Sequence, residues 1–120
     1  MKIKKMNWFV RFITLGWASA ITLSPFGIYI KKEENLNNLR MINHEKIHWK
    51  QQVEMLIILF YIWYLLEWFC KIFIFGKTAY KNISFERESY INDDNLEYLK
   101  TRKYYSWLKY IINKKIKLLN

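Results

Sequence analysis

Apolar runs along this chain alternate with short basic or polar stretches, and the period of the runs changes from one to the next. After Lys2, Lys4, Lys5 and Arg11, no charge appears until Lys31. That uncharged stretch approaches the length of a membrane-spanning helix, about 20 residues. Gly16, Pro25 and Gly27 interrupt it, and Ile21-Thr22-Leu23 and Ile28-Tyr29-Ile30 are built from strand-forming residues. The pattern predicts a helix over about 7–20 and an extended segment over about 21–30. A basic start, an apolar middle and Ala18-Ser19-Ala20 also fit a cleavable signal sequence. Arg11 at the edge of the apolar core, with Trp8 and Trp17, weighs against cleavage.

Residues 31–38 are polar and rich in Asn, which predicts a loop. Asn43 stands immediately before His44 as a candidate helix cap, with Leu36 or Asn38 as alternative starts. From about Leu39 the pattern is that of one long helix through Phe69 or beyond. Its uncharged part, residues 55–66, is too short to span a bilayer. Extension through Glu67 and Lys71 to Phe75 reaches spanning length, and these two charges can pair at i, i+4. A buried or interfacial helix has the same pattern. Gly76 ends the run. Ser84 is a candidate N-cap for a helix to about 91, and Asn92-Asp93-Asp94-Asn95 reads as a turn. A final helix is predicted over about 96–119. It would carry Tyr105, Leu108, Ile112, Ile116 and Leu119 on one stripe, with Lys100, Lys103, Lys114 and Lys117 opposite. Both a helix lying on an anionic membrane and one packed on the domain with a solvated basic face have this distribution.

These elements describe one domain over residues 1–120, mainly α with a short β element, an α+β class. Its membrane-associating segments are expected at about 8–30 and 53–75. Charge narrows the class of partner. The net charge is +10 although 52% of residues are hydrophobic. Nucleic-acid binders space Lys and Arg among polar residues along a face, whereas here they flank apolar runs, and no signature of a nucleic-acid fold appears. Membrane lipid is the expected partner, and no nucleic acid. Cys70 is the only cysteine, so an intrachain disulfide and a cysteine-based zinc site are excluded. Its apolar neighbours predict a buried thiol.

The strongest chemical signal is His44-Glu45-Lys46-Ile47-His48. Residues i and i+4 share a helix face, so both imidazoles can reach one Zn2+. Glu45 beside them can contact the metal-bound water, take its proton and return it to a leaving amine. A catalytic zinc needs a third protein ligand and an open position. With no further His, that ligand is a carboxylate. Glu54 falls on a different face, and Glu67 lies about 28 Å from His48 along a continuous helix. Glu86 and Glu88 remain, and at a separation of two only one of them can face the metal.

H-E-x-x-H followed by Glu86-Arg87-Glu88-Ser89 on a second helix resembles the gluzincin metallopeptidases, in particular small membrane-associated bacterial forms. The resemblance covers about 43–52 and 82–90. It implies a minimal gluzincin-like core with a long motif helix and a second ligand-bearing helix. It assigns His44, His48 and Glu86 as zinc ligands, Glu45 as general base, and Ser89 as the small residue that lets the helices approach. Many gluzincins carry Asp four residues after the ligand Glu; here that place holds Tyr90. The implied reaction is hydrolysis of a peptide bond in a peptide or protein substrate. Tyr90, Tyr29 or a main-chain amide would support the oxyanion, and residues 26–30 would form the cleft rim by pairing with an extended substrate. The competing class is a non-enzymatic membrane-associated protein with a structural or degenerate metal site.

Overall fold

The computed structural model describes residues 2–13 and 18–111. The chain opens with strand β1, Ile3–Lys5, then helix α1, Trp8–Ile13. Asn7 starts α1 by accepting a hydrogen bond from Val10 N at 2.9 Å. Strands β2, Ala20–Leu23, and β3, Gly27–Ile30, follow. The sheet order is β1-β3-β2, with β1 parallel and β2 antiparallel to β3. Ala20 is thus in a strand where a helix over 7–20 was expected; residues 14–17 lie outside the described residues. β1 is an addition, unannounced because all its side chains are exposed and its place in the sheet is set by main-chain pairing. Gly27 makes the pairing possible. Its φ is +147°, and a Cβ there would lie 2.6 Å from the Lys2 carbonyl oxygen.

All four residues of β3 are buried, and alternation splits them between two faces. Tyr29 packs with Met6 and Val10, the latter on α1. Ile28 and Ile30 pack with Ile42, on the helix that carries the motif. This helix, α2, is Leu39–Glu54. Asn38 caps it, accepting from Met41 N at 3.1 Å. Asn43 is not the cap: its amide donates to the carbonyls of Asp93 and Asn95, at 2.9 and 3.0 Å.

The expected single helix from Leu39 to Phe69 is two. The chain breaks at Leu56 and Ile57, whose φ values are 55° and 63°, and restarts as α3, Ile58–Phe75. A left-handed conformation costs a residue with a Cβ roughly 1–2 kcal/mol. Tertiary packing sustains it. Glu54 before the break is held by Arg102 at 2.7 and 3.1 Å, and Phe60 after it packs in a cluster with Ile83, Phe85 and Trp107.

The break turns α3 across the next helix, α4, Ser84–Asn92. Ser84 is its first residue rather than its side-chain cap; the Glu67 carboxylate accepts from both its N–H and its hydroxyl. Glu67 also forms the expected pair with Lys71, at 2.7 Å, and Lys71 donates to the Asn82 carbonyl. The chain then forms α5, Tyr98–Thr101, and a 3-10 turn at Ser106–Tyr110. The helix expected over 96–119 therefore stops at Arg102, whose guanidinium bridges Glu54 and Glu88. Residues 112–120 lie outside the described residues. Cys70, expected to be buried, is exposed on α3. The architecture is mainly helical with a small sheet near the N-terminus, as the α+β expectation states.

Candidate metal centre

Helix α2 presents His44 and His48 toward α4, and α4 presents Glu86 toward α2. His44 Nε2 is 3.2 Å from Glu86 Oε1, and His48 Nε2 is 3.2 Å from Glu86 Oε2. One ligand atom from each residue lies within 4.8 Å of the other two, and all three residues are buried. Donors about 2.0–2.1 Å from a tetrahedral zinc sit roughly 3.3 Å apart, so each imidazole–carboxylate separation suits a shared ion. Two imidazoles and one carboxylate can hold a divalent ion. Among the described residues this is the only cluster of at least three such groups.

The outer nitrogens are also held. His44 Nδ1 donates to Asp93 Oδ2 at 3.0 Å. His48 Nδ1 lies 2.7 Å from Gln51 Oε1. Gln51 Nε2 donates to the Phe85 carbonyl and to Glu88 Oε1, both acceptors only. This fixes the amide orientation, so Nδ1 of His48 must be the donor. Both rings therefore turn Nε2 toward Glu86, the arrangement in which second-sphere groups orient metal-bound histidines. Asp93 is in turn held by Arg40 at 2.7 Å.

Glu88 does not face this site. It is fully buried, and its basic partner is Arg102, at 3.0 Å from Oε1. Tyr98 also donates to it, at 2.7 Å. Glu54 likewise belongs to the Arg102 cluster. Ser89 is fully buried, its hydroxyl 3.4 Å from His48 Nδ1. The Tyr90 ring stands edge-on to His44, with centroids 4.5 Å apart.

Glu45 is 5% exposed, and a cavity of about 370 Å³ borders it together with His44, Ala20, Tyr80 and Tyr90. Tyr29 is elsewhere, packed against α1 with the Lys4 ammonium 5.7 Å from its ring centroid, so it has no place at this cavity. Residues 27–30 cannot form the rim either, because β3 is the central strand. The edge strands are β1 and β2, and it is β2 that lines the cavity, through Ala20. Thr22 on that edge has its carbonyl taken by Gln52 Nε2 and Tyr61 Oη, at 2.8 and 3.1 Å. The Ser19 carbonyl is used on the β3 side by Lys31 N. By alternation the main chain of Ala20 points away from β3, as that of Thr22 does.

Burial disfavours a charged His44, but the hydrogen bonds of Asp93 and Glu86 outweigh it and push its pKa up to about 10. Burial likewise opposes charge on His48, and Glu86 outweighs it, so its pKa is also raised. Burial works against the Glu86 carboxylate, yet His48 and His44 hold it well below the usual range. Burial raises Glu45, against the pull of His48 and His44. Burial and the Glu86 charge raise Tyr90 to about 12, so its phenol stays protonated.

A metal must displace these protons. The raised His44 pKa stabilises the metal-free fold fully below pH 6.5, and that contribution is lost as pH rises toward about 10. Metal affinity moves oppositely. Between pH 6.5 and 8 it is expected to rise at least about tenfold per pH unit, for one displaced proton. Competition titrations with a zinc buffer would show this; a flat profile would mean that His44 is already neutral.

Asp93, Gln51 and Tyr80 were missed in the sequence. Gln51 is three residues after His48, on the same face, which was a usable signal. Asp93 is two helical turns after Glu86 but read only as part of a turn. No protein-family model, curated protein or solved structure matches the chain.

Proposed function

We propose that this protein is a small zinc metallopeptidase acting at a membrane. The observation that carries the reading is the meeting of two Nε2 atoms and one carboxylate at 3.2 Å, with both outer nitrogens independently fixed. The donor set, two His and one Glu, suits zinc with a position left for solvent or substrate. A zinc ion held there would lower the pKa of a bound water to about 7 and polarise the scissile carbonyl.

The remaining roles fall to this chain's own groups. Glu45 borders the cavity without joining the cluster, and burial raises its pKa, which strengthens it as a base. It takes the proton of the attacking water and hands it to the departing amine. Tyr90, and Tyr80 in the same cavity, remain phenols and can donate to the developing oxyanion. The outward main chain of Ala20 replaces residues 26–30 as the element that aligns an extended peptide. Membrane attachment is supported by α3 and the turn after it: the span Ile58–Thr78 is long and apolar enough to cross a bilayer, and only Phe60, Glu67 and Lys71 of it are buried.

The experiment is hydrolysis of an unfolded protein substrate by the lipid-bound chain loaded with zinc. Cleavage should stop with a chelator and return when zinc is restored. A loaded site with no cleavage would favour a non-enzymatic metal protein.

A further inference from the structure

The two faces of α3 differ sharply. Phe60, Tyr64, Glu67 and Lys71, at i, i+4, i+7 and i+11, form its inner stripe. Each is engaged with the segment that carries the metal-site helix: Phe60 packs on Phe85, Tyr64 Oη donates to Glu86 Oε2 at 2.8 Å, Glu67 binds Ser84 and Lys71 binds Asn82. The opposite stripe is Ile58, Ile62, Leu65, Phe69 and Phe73, all between 50% and 78% exposed. Leu59, Leu66 and Ile72 widen it and are exposed as well.

This arrangement constrains how lipid can cover the helix. The inner stripe is in contact with polar protein along most of its length. If α3 stood across a bilayer, α4 would be carried into the hydrocarbon with it, together with Ser84, Glu86, Arg87 and Glu88. The polar helix α2, with exposed Lys50, would follow. Ions at the bilayer centre are costly, and here they belong to a domain with a water-facing side.

We infer that α3 lies side-on in one leaflet of an anionic bilayer, its outer stripe in the acyl boundary and the metal site on the aqueous side. The occupant is lipid rather than a second copy of the chain. The face is a single convex helix, and each copy carries a net charge of +10, so two copies repel where an anionic surface attracts. Exposed Lys77 follows the helix directly at its C-terminal end. The inference deepens the membrane attachment proposed above and does not depend on peptidase activity.

The test uses the full chain on vesicles of phosphatidylcholine mixed with phosphatidylglycerol. Single-cysteine variants Ile58→Cys, Leu65→Cys and Phe73→Cys, each with Cys70→Ser, carry a spin label whose depth is read by accessibility to oxygen. All three labels are expected at one shallow depth, about 5–10 Å into the headgroup–acyl boundary. A profile with Leu65 at the bilayer centre, about 15 Å deep, and the other two at opposite surfaces would overturn the side-on placement while leaving attachment intact. Failure of the unlabelled protein to bind these vesicles, or a stable dimer in solution that buries this stripe, would overturn attachment as well. The double variant Leu65→Glu with Phe69→Glu should lower vesicle partitioning at least tenfold while its circular dichroism is unchanged; undiminished partitioning would exclude this face.

Discussion

Glu45→Gln is expected to keep its zinc and to lose peptide hydrolysis by about 10²–10⁴-fold, the range attributed to a positioned general base. The isosteric amide preserves shape inside a site where Glu45 is almost wholly buried, so packing should not change. It cannot take a proton, and it sits beside the cluster rather than in it. The two readouts separate roles. Metal loss would make Glu45 a ligand, and retained hydrolysis would place the base elsewhere. Because burial raises the Glu45 pKa, activity of the wild type should also fall on the acid side as this group is protonated.

The second large effect is on affinity. Glu86→Gln should weaken zinc binding at least tenfold, since it removes the charge that both Nε2 atoms face. Glu88→Gln tests the alternative two residues on. From the family pattern alone it should be silent. The structure changes that expectation, because Glu88 Oε1 accepts from the amide that orients His48. A smaller loss is expected, with some loss of stability as Arg102 gives up one of its two carboxylate partners. Matched zinc titrations of the two variants decide it. A larger loss for Glu88→Gln would show that the ligand pattern had been laid on the wrong residue.

The His44–His48 half of the candidate cluster was readable because its geometry is local. His44 and His48 lie one turn apart on any helix, and Glu86 was reached by resemblance, with spacing forbidding Glu88 the same orientation. The surroundings of the cluster depend on how elements approach one another, and a spacing rule does not contain that. Asp93 reaches His44 because Asn43 pins the turn after α4. Tyr64 reaches Glu86 only because the chain turns at Leu56 and Ile57. Neither Gly nor Pro marks that turn, so the apolar run read as one continuous helix. The place of β3 at the centre of the sheet was hidden for a related reason. Its partner β1 has a charged sequence, Ile3-Lys4-Lys5, with no apolar alternation to announce it. The Arg102 cluster ends the last predicted helix through contacts with Glu54 and Glu88, both far from it in sequence.

The central claim is that His44, His48 and Glu86 hold zinc, and elemental analysis of the protein purified without added metal tests it most directly. About one zinc per chain is expected in the wild type, and none after a chelator wash in His44→Ala or His48→Ala. Zinc retained at the wild-type level by either variant under that wash, or a wild type that neither contains nor takes up zinc, would contradict the account.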